Sequence, residues 1–324
     1  MSSITISEMA AELARQTRLA VTSHTNPDGD ALGSLLGLGR ALRADGRDVV
    51  YIHPDAEPVP ADLAFLLHAG EEIASGLPSD IGERTLVALD CASEKRLWTT
   101  PPPWGAARVL NIDHHGDNTG FGAANLVISH ASSTAEIVAD LLGEMGLDLS
   151  PESAEALYAG MITDTGRWTY SNTSPHTHEV AGRLIATGFD APDVARRLFE
   201  DQPLGRVMLL GRALGRSQMR ADGRMMVASL DAADLASVED PDTENIVETL
   251  RGVKGVEAAV LTREVAPGDW RVSIRTSRED VDVSAIAREE GGGGHRAAAG
   301  FSTARGPEDL FAWVEGLLIS QLDG

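Results

Sequence analysis

Cysteine is nearly absent. Cys91 is the only one in 324 residues, so no disulfide can form within the chain, and this usage fits a reducing compartment. Long apolar runs are missing as well. No stretch approaches the roughly 18 consecutive apolar residues of a membrane span. The N-terminal MSSITISEMAAELARQ lacks a basic segment followed by an apolar run, so no secretory signal is read there, and a cytoplasmic protein without a membrane partner is expected. Positive charge is scarce: 27 Lys and Arg face 49 Asp and Glu, a formal net of −22. That balance argues against coating a long duplex nucleic acid, which needs a basic surface. It leaves room for a small anionic substrate in a local pocket. The deficit is uneven, with a net of −15 over residues 1–190 and −7 over 191–324. What the chain does contain is ordinary for a globular protein, 43% hydrophobic and 23% charged residues.

Apolar runs rich in β-branched residues predict strands at 19–24, 48–54, 85–92, 107–115 and 124–129. Helical periodicity lies between and after them, at 30–44, 60–68, 132–145 and 151–164. Alternation of this kind predicts an α/β fold whose first domain is a mostly parallel sheet with helices on both faces. Ligands of such folds bind beyond the carboxyl ends of the strands. After residue 190 the pattern turns helical, with a proline interruption and arginines at 212, 216 and 220. Shorter strands and helices follow: MMVASL, VEAAVLTREV, WRVSIRT and VSAIAREE, then a glycine run. We read a first domain over 1–190, a helical connector over 191–222 and a smaller α/β domain with a mixed sheet over 223–324.

Four polar clusters fall where predicted strands or helices end. They are His24, Asp28 and Asp30 in SHTNPDGDALG, Asp90 in ALDCAS, Asp113, His114 and His115 in NIDHHGD, and Asp164 in MITDTG. Taken singly, each has a bland reading as a turn or a helix cap. Together, with Asp113 set aside, they aim four carboxylates and two or three imidazoles at one sheet edge. Imidazole with carboxylate and no thiolate suits Mn²⁺ best, with Mg²⁺ or Co²⁺ as alternatives. Cys91 reads as a small buried hydrophobe rather than a ligand. Four carboxylates exceed the need of one ion and point to two, an arrangement that generates hydroxide near neutral pH and holds a phosphoryl oxygen.

HTNPDGDALG, ALDCA, IDHHGDN and TDTG, in that order, resemble the successive motifs of the DHH phosphoesterases. GGGGHRAAAGF, at 291–301, resembles the signature of their DHH-associated C-terminal domain. The resemblance spans nearly the whole chain and is nearest to the subgroup of NrnA-type oligoribonuclease/pAp phosphatases. It implies one ion held by His24, Asp28 and Asp90, and a second held by Asp30, Asp90, His114 and Asp164, with Asp90 bridging. It further implies that Asp113 orients its neighbours and that His115 faces the scissile phosphate.

In the second domain, glycines at 291–294 let backbone approach an anion closely; a flexible loop is the alternative. His295 and Arg296 follow directly, and Arg271 and Arg275 share one face of the preceding strand because their spacing is even. The resemblance implies that Arg275 and His295, with Gly293 and Gly294, hold a terminal phosphate, Arg271 being a weaker candidate. The implied activity is a metal-dependent phosphohydrolase acting on dinucleotides, oligonucleotides of a few residues, or 3′-phosphoadenosine 5′-phosphate (pAp). Alternatives are a phosphodiesterase of cyclic di-AMP or linear dinucleotides, and a nucleotide-binding regulator without turnover. A homodimer is suggested by family analogy alone. Ser133 and Thr134 fit a helix cap with Glu136 in the first turn. Trp168 and Tyr170 read either as base-stacking or as core residues. Arg212, Arg216 and Arg220 read as one helical stripe engaged in solvation or salt bridges, with lining of the substrate cleft as the lesser alternative.

Overall fold

In the computed structural model, residues 3–53, 59–97, 107–239, 241–243, 245–278 and 280–322 are described. The chain divides into two compact units, Met1–Asp201 and Gln202–Gly324. Six strands build the sheet of the first unit: β1 (Arg18–Ser23), β2 (Asp48–His53), β3 (Ile73–Ser75), β4 (Thr85–Leu89), β5 (Arg108–Asp113) and β6 (Ala124–Val127). Their order is β3-β2-β1-β4-β5-β6 and every pair is parallel. Among the described residues, seven helices accompany them: α1 (Ile6–Ala14), α2 (Gly29–Ala44), α3 (Glu94–Leu97), α4 (Thr134–Glu144), α5 (Pro151–Asp164), α6 (Pro175–Ile185) and α7 (Ala191–Phe199).

Alternate strand residues serve two cores. Leu19, Val21, Val87, Leu89, Leu110 and Ile112 pack against α1, α2, α4 and α5. Ala20, Ile52, Leu86, Ala88 and Val109 face a smaller cluster closed by Cys91 and by Leu97 of α3. Helix α2 lies unusually close to α5. A Cβ at Gly33 would fall 2.3 Å from the Ala156 carbonyl oxygen, and one at Gly37 would fall 2.5 Å from the Leu157 side chain. The four-residue glycine spacing puts bare backbone on one helix face, and α5 fills it.

In this unit the short helix α3 and three further elements add to the expected ones. The capping box of Thr5 and Glu8 starts α1, Ser174 caps α6 ahead of Pro175, and the three-residue edge strand β3 is too short to show a period. Helical periodicity over 60–68 yields only a 3₁₀ turn at Ala64–Leu66.

The second unit carries β7 (Gln218–Arg220), β8 (Met225–Leu230), β9 (Ala258–Ala266), β10 (Asp269–Thr276), β11 (Gly293–His295) and β12 (Ala298–Thr303). Strand order is β11-β12-β10-β9-β8-β7, with β8 and β9 parallel and the remaining pairs antiparallel. Its helices are α8 (Leu204–Gly215), α9 (Ala232–Ala236), α10 (Ile246–Arg251), α11 (Val283–Glu289) and α12 (Pro307–Leu322). Val272, Ile274 and Phe301 pack with α11 and α12, whereas Ala259 and Leu261 pack with α8 and α10.

The arginine stripe does not form. Helix α8 ends at Gly215, so Arg216 is its cap and Arg220 sits on β7. Arg212 bonds Ser237 and the Asp234 carbonyl, Arg216 pairs with Asp234, and Arg220 pairs with Glu308. Among the described residues, no helix is long and apolar enough to cross a membrane.

Candidate metal centre

The strand order of the first sheet reverses between β1 and β4, and the crevice beyond the carboxyl ends at such a reversal is where open α/β sheets bind ligands. His24 follows β1 and Asp90 follows β4. The buried His24 ring approaches the Thr25 carbonyl oxygen through Nδ1 at 2.7 Å. A carbonyl only accepts, so Nδ1 carries the proton and Nε2 turns to the site. There it lies 3.5 Å from Asp90 Oδ2 and 3.9 Å from Asp28 Oδ2. Asp28 combines two tasks: its Oδ1 caps α2 by accepting from the Ala31 N–H at 3.0 Å, and its Oδ2 faces His24. The turn reading and the site reading of SHTNPDGD therefore hold together.

Asp90 adopts φ +54°, a left-handed conformation that costs a non-glycine residue energy and that Asp tolerates better than most. Its N–H is anchored on the Ile112 carbonyl, 3.0 Å away. The carboxylate thereby stands between His24 and the two following histidines. Its Oδ1 is 3.6 Å from His114 Nε2 and 3.5 Å from His115 Nδ1, and it accepts from Thr134 Oγ1 at 3.0 Å. Asp30, in the first turn of α2, is buried against the start of α4. It accepts from the backbone N–H groups of Thr134 (2.7 Å) and Ala135 (2.9 Å). Asp164 closes α5 and brings Oδ2 to 3.5 Å from His114 Nε2. The tight α2–α5 packing is what sets Asp30 and Asp164 on one site.

Three triplets have potential ligand atoms lying within 4.8 Å of one another: His24, Asp28 and Asp90; Asp30, His114 and Asp164; and Asp90, His114 and His115. Electrostatics mark the same residues. Burial, with the neighbouring charges of Asp90 and Asp28, pushes Asp164 up to about 8. Burial and the charges of Asp90, Asp164 and Asp28 likewise raise Asp30 far above the ordinary range. Burial also opposes the charged form of Asp90, but hydrogen bonding to His24 and the charges of His114, His24 and His115 outweigh it and bring Asp90 down to about 2. A crowded, desolvated set of carboxylates with only imidazoles among them suits hard divalent cations. The donor set fits a pair of such ions.

Asp113, fully buried at the end of β5, accepts from the His114 N–H at 2.9 Å, from Asn118 Nδ2 at 2.5 Å and meets His115 Nδ1 at 2.8 Å. It holds the His115 ring and the His114 backbone from behind. Its hydrogen bond is the chief reason that His115 is raised to about 9. Thr134, Ala135 and Asn118 were not assigned these parts from sequence. The cap pattern SSTAE and the final residue of IDHHGDN were their only traces. Ser133 does cap α4, accepting from the Glu136 N–H. Trp168 is a packing residue beside Tyr158 and His178, and Tyr170 is half exposed. Cys91 is buried, bonded to the Ser93 carbonyl and pushed up to about 12 by burial.

In the second unit, Arg271 and Arg275 lie on one face of β10. Arg275 Nε donates to Glu248 Oε1 at 2.7 Å, and Arg271 is exposed. The register aligns Arg275 with Ala298 and Ala298 with His295, so backbone positions 275 and 295 share one row of the sheet. The His295 side chain lies outside the described residues. The glycines differ among themselves. A Cβ at Gly292 would sit 2.3 Å from the Gly300 carbonyl oxygen; Gly294 has φ +140° and would meet the Ala298 carbonyl at 2.4 Å; Gly293 faces open space. Two of the run are required by strand packing.

Residues 18–161 match the DHH family, N-terminal domain, and residues 223–314 match the DHHA1 domain. The chain is 36% identical over 280 residues to the bifunctional oligoribonuclease and PAP phosphatase NrnA of Thermus thermophilus, covering 86% of this chain and 82% of that one. It is 29% identical to the protein of the same description in Bacillus subtilis, covering 90% and 89%. A crystal structure of an exopolyphosphatase-related protein from Bacteroides fragilis superposes with a TM-score of 0.86 at 26% identity, over 97% of this chain and 95% of the other.

Proposed function

The chain belongs to the DHH family, and from that premise we propose that it is a metal-dependent phosphohydrolase cleaving short oligoribonucleotides and converting pAp to AMP. The observation that carries this reading is Asp90. It is held in a strained backbone conformation at the sheet's reversal point, between a His24–Asp28 group and a His114–Asp30–Asp164 group. A relative of matching length, 36% identical, bears both activities in its description.

One ion would be held by His24, Asp28 and Asp90, and the second by Asp30, Asp90, His114 and Asp164, Mn²⁺ being the ion this donor set suits best. Bound there, divalent ions supply Lewis-acid polarisation of a phosphoryl oxygen and a nucleophile at neutral pH. The protein's own part is positional. Thr134 and the start of α4 fix Asp30 and Asp90, so the bridging carboxylate and its neighbour are held together. Asp113 orients His114 toward the site and His115 toward the scissile phosphate, where the imidazole serves as a hydrogen-bond donor or acid. The second domain, read over 223–324 after a connector at 191–222, binds another phosphate through Arg275 and His295 beside Gly293 and Gly294. The chain's acidic surface disfavours long polyanions and thereby favours short ones.

The test compares wild type and Asp90→Asn on pAp, the linear dinucleotide pGpG, a five-nucleotide RNA and cyclic di-AMP with added Mn²⁺. The reading expects pAp and pGpG to be cut by wild type and turnover to collapse in the variant. Near-wild-type turnover by Asp90→Asn defeats the bridging assignment, and cleavage of the cyclic compound alone defeats the substrate assignment.

A further inference from the structure

The chain leaves Asp164, at the end of α5, through a strained turn. Gly166, Arg167 and Trp168 have φ of +53°, +60° and +65°, three left-handed residues in a row, two of them not glycine. L-residues visit that region singly and at a cost, so a run of three persists only where its surroundings hold it. The Thr165 carbonyl accepts from the Thr169 and Tyr170 N–H groups at 3.0 Å each, and the Thr165 hydroxyl accepts from the Trp168 N–H at 3.2 Å. The Arg167 guanidinium lies over the Phe199 ring at 4.5 Å, and Trp168 packs against Tyr158 and His178. Asn172 closes the turn, its Nδ2 donating to the carbonyls of Ser132 and Asp164 at 2.8 and 3.1 Å.

What the turn holds out is one aromatic ring. A Cβ at Gly166 would fall within 2.6 Å of Tyr170 Cζ, Cε1 and Cε2, so the phenol ring rests with its face on bare glycine backbone. Its other face is open, since Tyr170 is 48% exposed. Among the described residues its side chain has no hydrogen bond, ring contact or cation partner. Of the described Phe, Trp and Tyr side chains in the first unit, Tyr170 alone is exposed. A ring that served packing would turn inward as Trp168 does, because burial of aromatic surface is favourable. Gly166 lies two residues beyond Asp164, at most about 7.6 Å between Cα atoms, which is within the span of one nucleotide.

We propose that Tyr170 is a stacking platform for the base of the nucleotide whose phosphate lies at the metal centre. Every base has a π-face, so the platform accepts any of them and discriminates against a phosphorylated sugar that has none. The strained turn fixes the ring beside Asp164 before the ligand arrives, so little ordering is needed on binding. This deepens the phosphoesterase reading and rests on it for the claim that the stacked nucleotide is the substrate.

The test uses the full-length, Mn²⁺-loaded protein and the variants Tyr170→Ala, Tyr170→Phe and Gly166→Ala. Calorimetric titration should show wild type binding AMP more tightly than ribose 5-phosphate, which lacks the base. That preference should fall about tenfold in Tyr170→Ala, the scale of one base–aromatic stack. Tyr170→Phe keeps the ring and should keep the preference. Gly166→Ala, whose added methyl displaces the ring, should lose it as Tyr170→Ala does. Tyr170 is exposed, so its variants should fold even if Gly166→Ala does not. The ratio of kcat/KM for pAp to that for its abasic analogue should follow the same order. A preference that is absent in wild type, or unchanged in Tyr170→Ala, overturns the inference. If wild type hydrolyses neither pAp nor pGpG yet its preference for AMP depends on Tyr170, the substrate reading fails and the stacking platform stands.

Discussion

The residue that best separates positioning from contact is Asp113. Its carboxylate receives the His114 amide, the Asn118 side chain and the His115 ring at 2.5 to 2.9 Å, and all of this occurs in full burial. Replacing it by Asn swaps one acceptor oxygen for a donor and leaves at least one partner unmatched. Outer partners of ligand histidines typically matter by 10- to 100-fold. Asp113→Asn should therefore lose about that factor in turnover of pAp, while the affinity for Mn²⁺ weakens and the far-ultraviolet circular dichroism stays native. Full turnover with unaltered metal affinity would remove Asp113 from its proposed role. The cluster that the structure brings together was legible in the sequence because apolar runs stop abruptly at His24, Asp90 and Asp113, and few structural needs place carboxylates there. Asn118 and Thr134 were not legible in the same way, because their bonds to Asp113 and Asp90 depend on tertiary neighbours rather than on local spacing.

At the scale of elements, the site depends on how closely α2 and α5 approach. Gly33 meets the backbone of Ala156 and Gly160, not a flexible side-chain tip, so Gly33→Ala must push the helices apart. Overpacking of this kind costs about 1–3 kcal/mol, and it should also separate Asp30 from Asp164. Urea unfolding should show the loss, and Mn²⁺ affinity should fall with it; a variant as stable as wild type contradicts the contact. Gly293→Ala, facing open space on β11, should by contrast stay within about 0.5 kcal/mol. The same helix α2 is tied down by Arg40, buried and paired with Glu71 through Nε at 2.9 Å while its NH1 reaches the Glu152 carbonyl. Burial alone would raise the Glu71 carboxyl, but the bonds from Arg40 and the His68 amide outweigh it and hold Glu71 below its usual range. A depressed carboxyl adds stability that is present above the ordinary value near 4.5 and is lost as pH falls through the folded one. Glu71→Gln should therefore cost about 3–5 kcal/mol at pH 7, because it strands a buried guanidinium. It should also flatten the acid limb of the stability–pH curve measured by urea unfolding between pH 3 and pH 7, and an unchanged limb would show that Glu71 does not govern it. The glycine spacing of α2 was present in the sequence, but only the partner helix reveals that the glycines face it. The edge strand β3 and the broken arginine stripe escaped for the same reason, since register and helix termination are decided by tertiary neighbours.

Over the whole molecule, charge and metal are linked. The N-terminal 190 residues carry a net of −15, and the site concentrates part of that excess in burial, with Asp30 and Asp164 held far from their ordinary ionisation. Divalent ions that bind the folded site and not the unfolded chain stabilise it by mass action, about 2.7 kcal/mol at a hundredfold excess over Kd. The proposed ligands belong to the first compact unit alone. Calorimetry of the full chain should therefore resolve a transition that rises by about 5–10 °C on going from EDTA to Mn²⁺, given roughly 2–4 °C per kcal/mol at this size. The transition of the second unit should not follow the metal. Because the carboxylates and imidazoles must give up their protons to bind, the shift should shrink as pH is lowered from 7 to 5. A shift of equal size in both transitions, or one indifferent to acid, would mean that the stabilising ion is bound somewhere other than around Asp90.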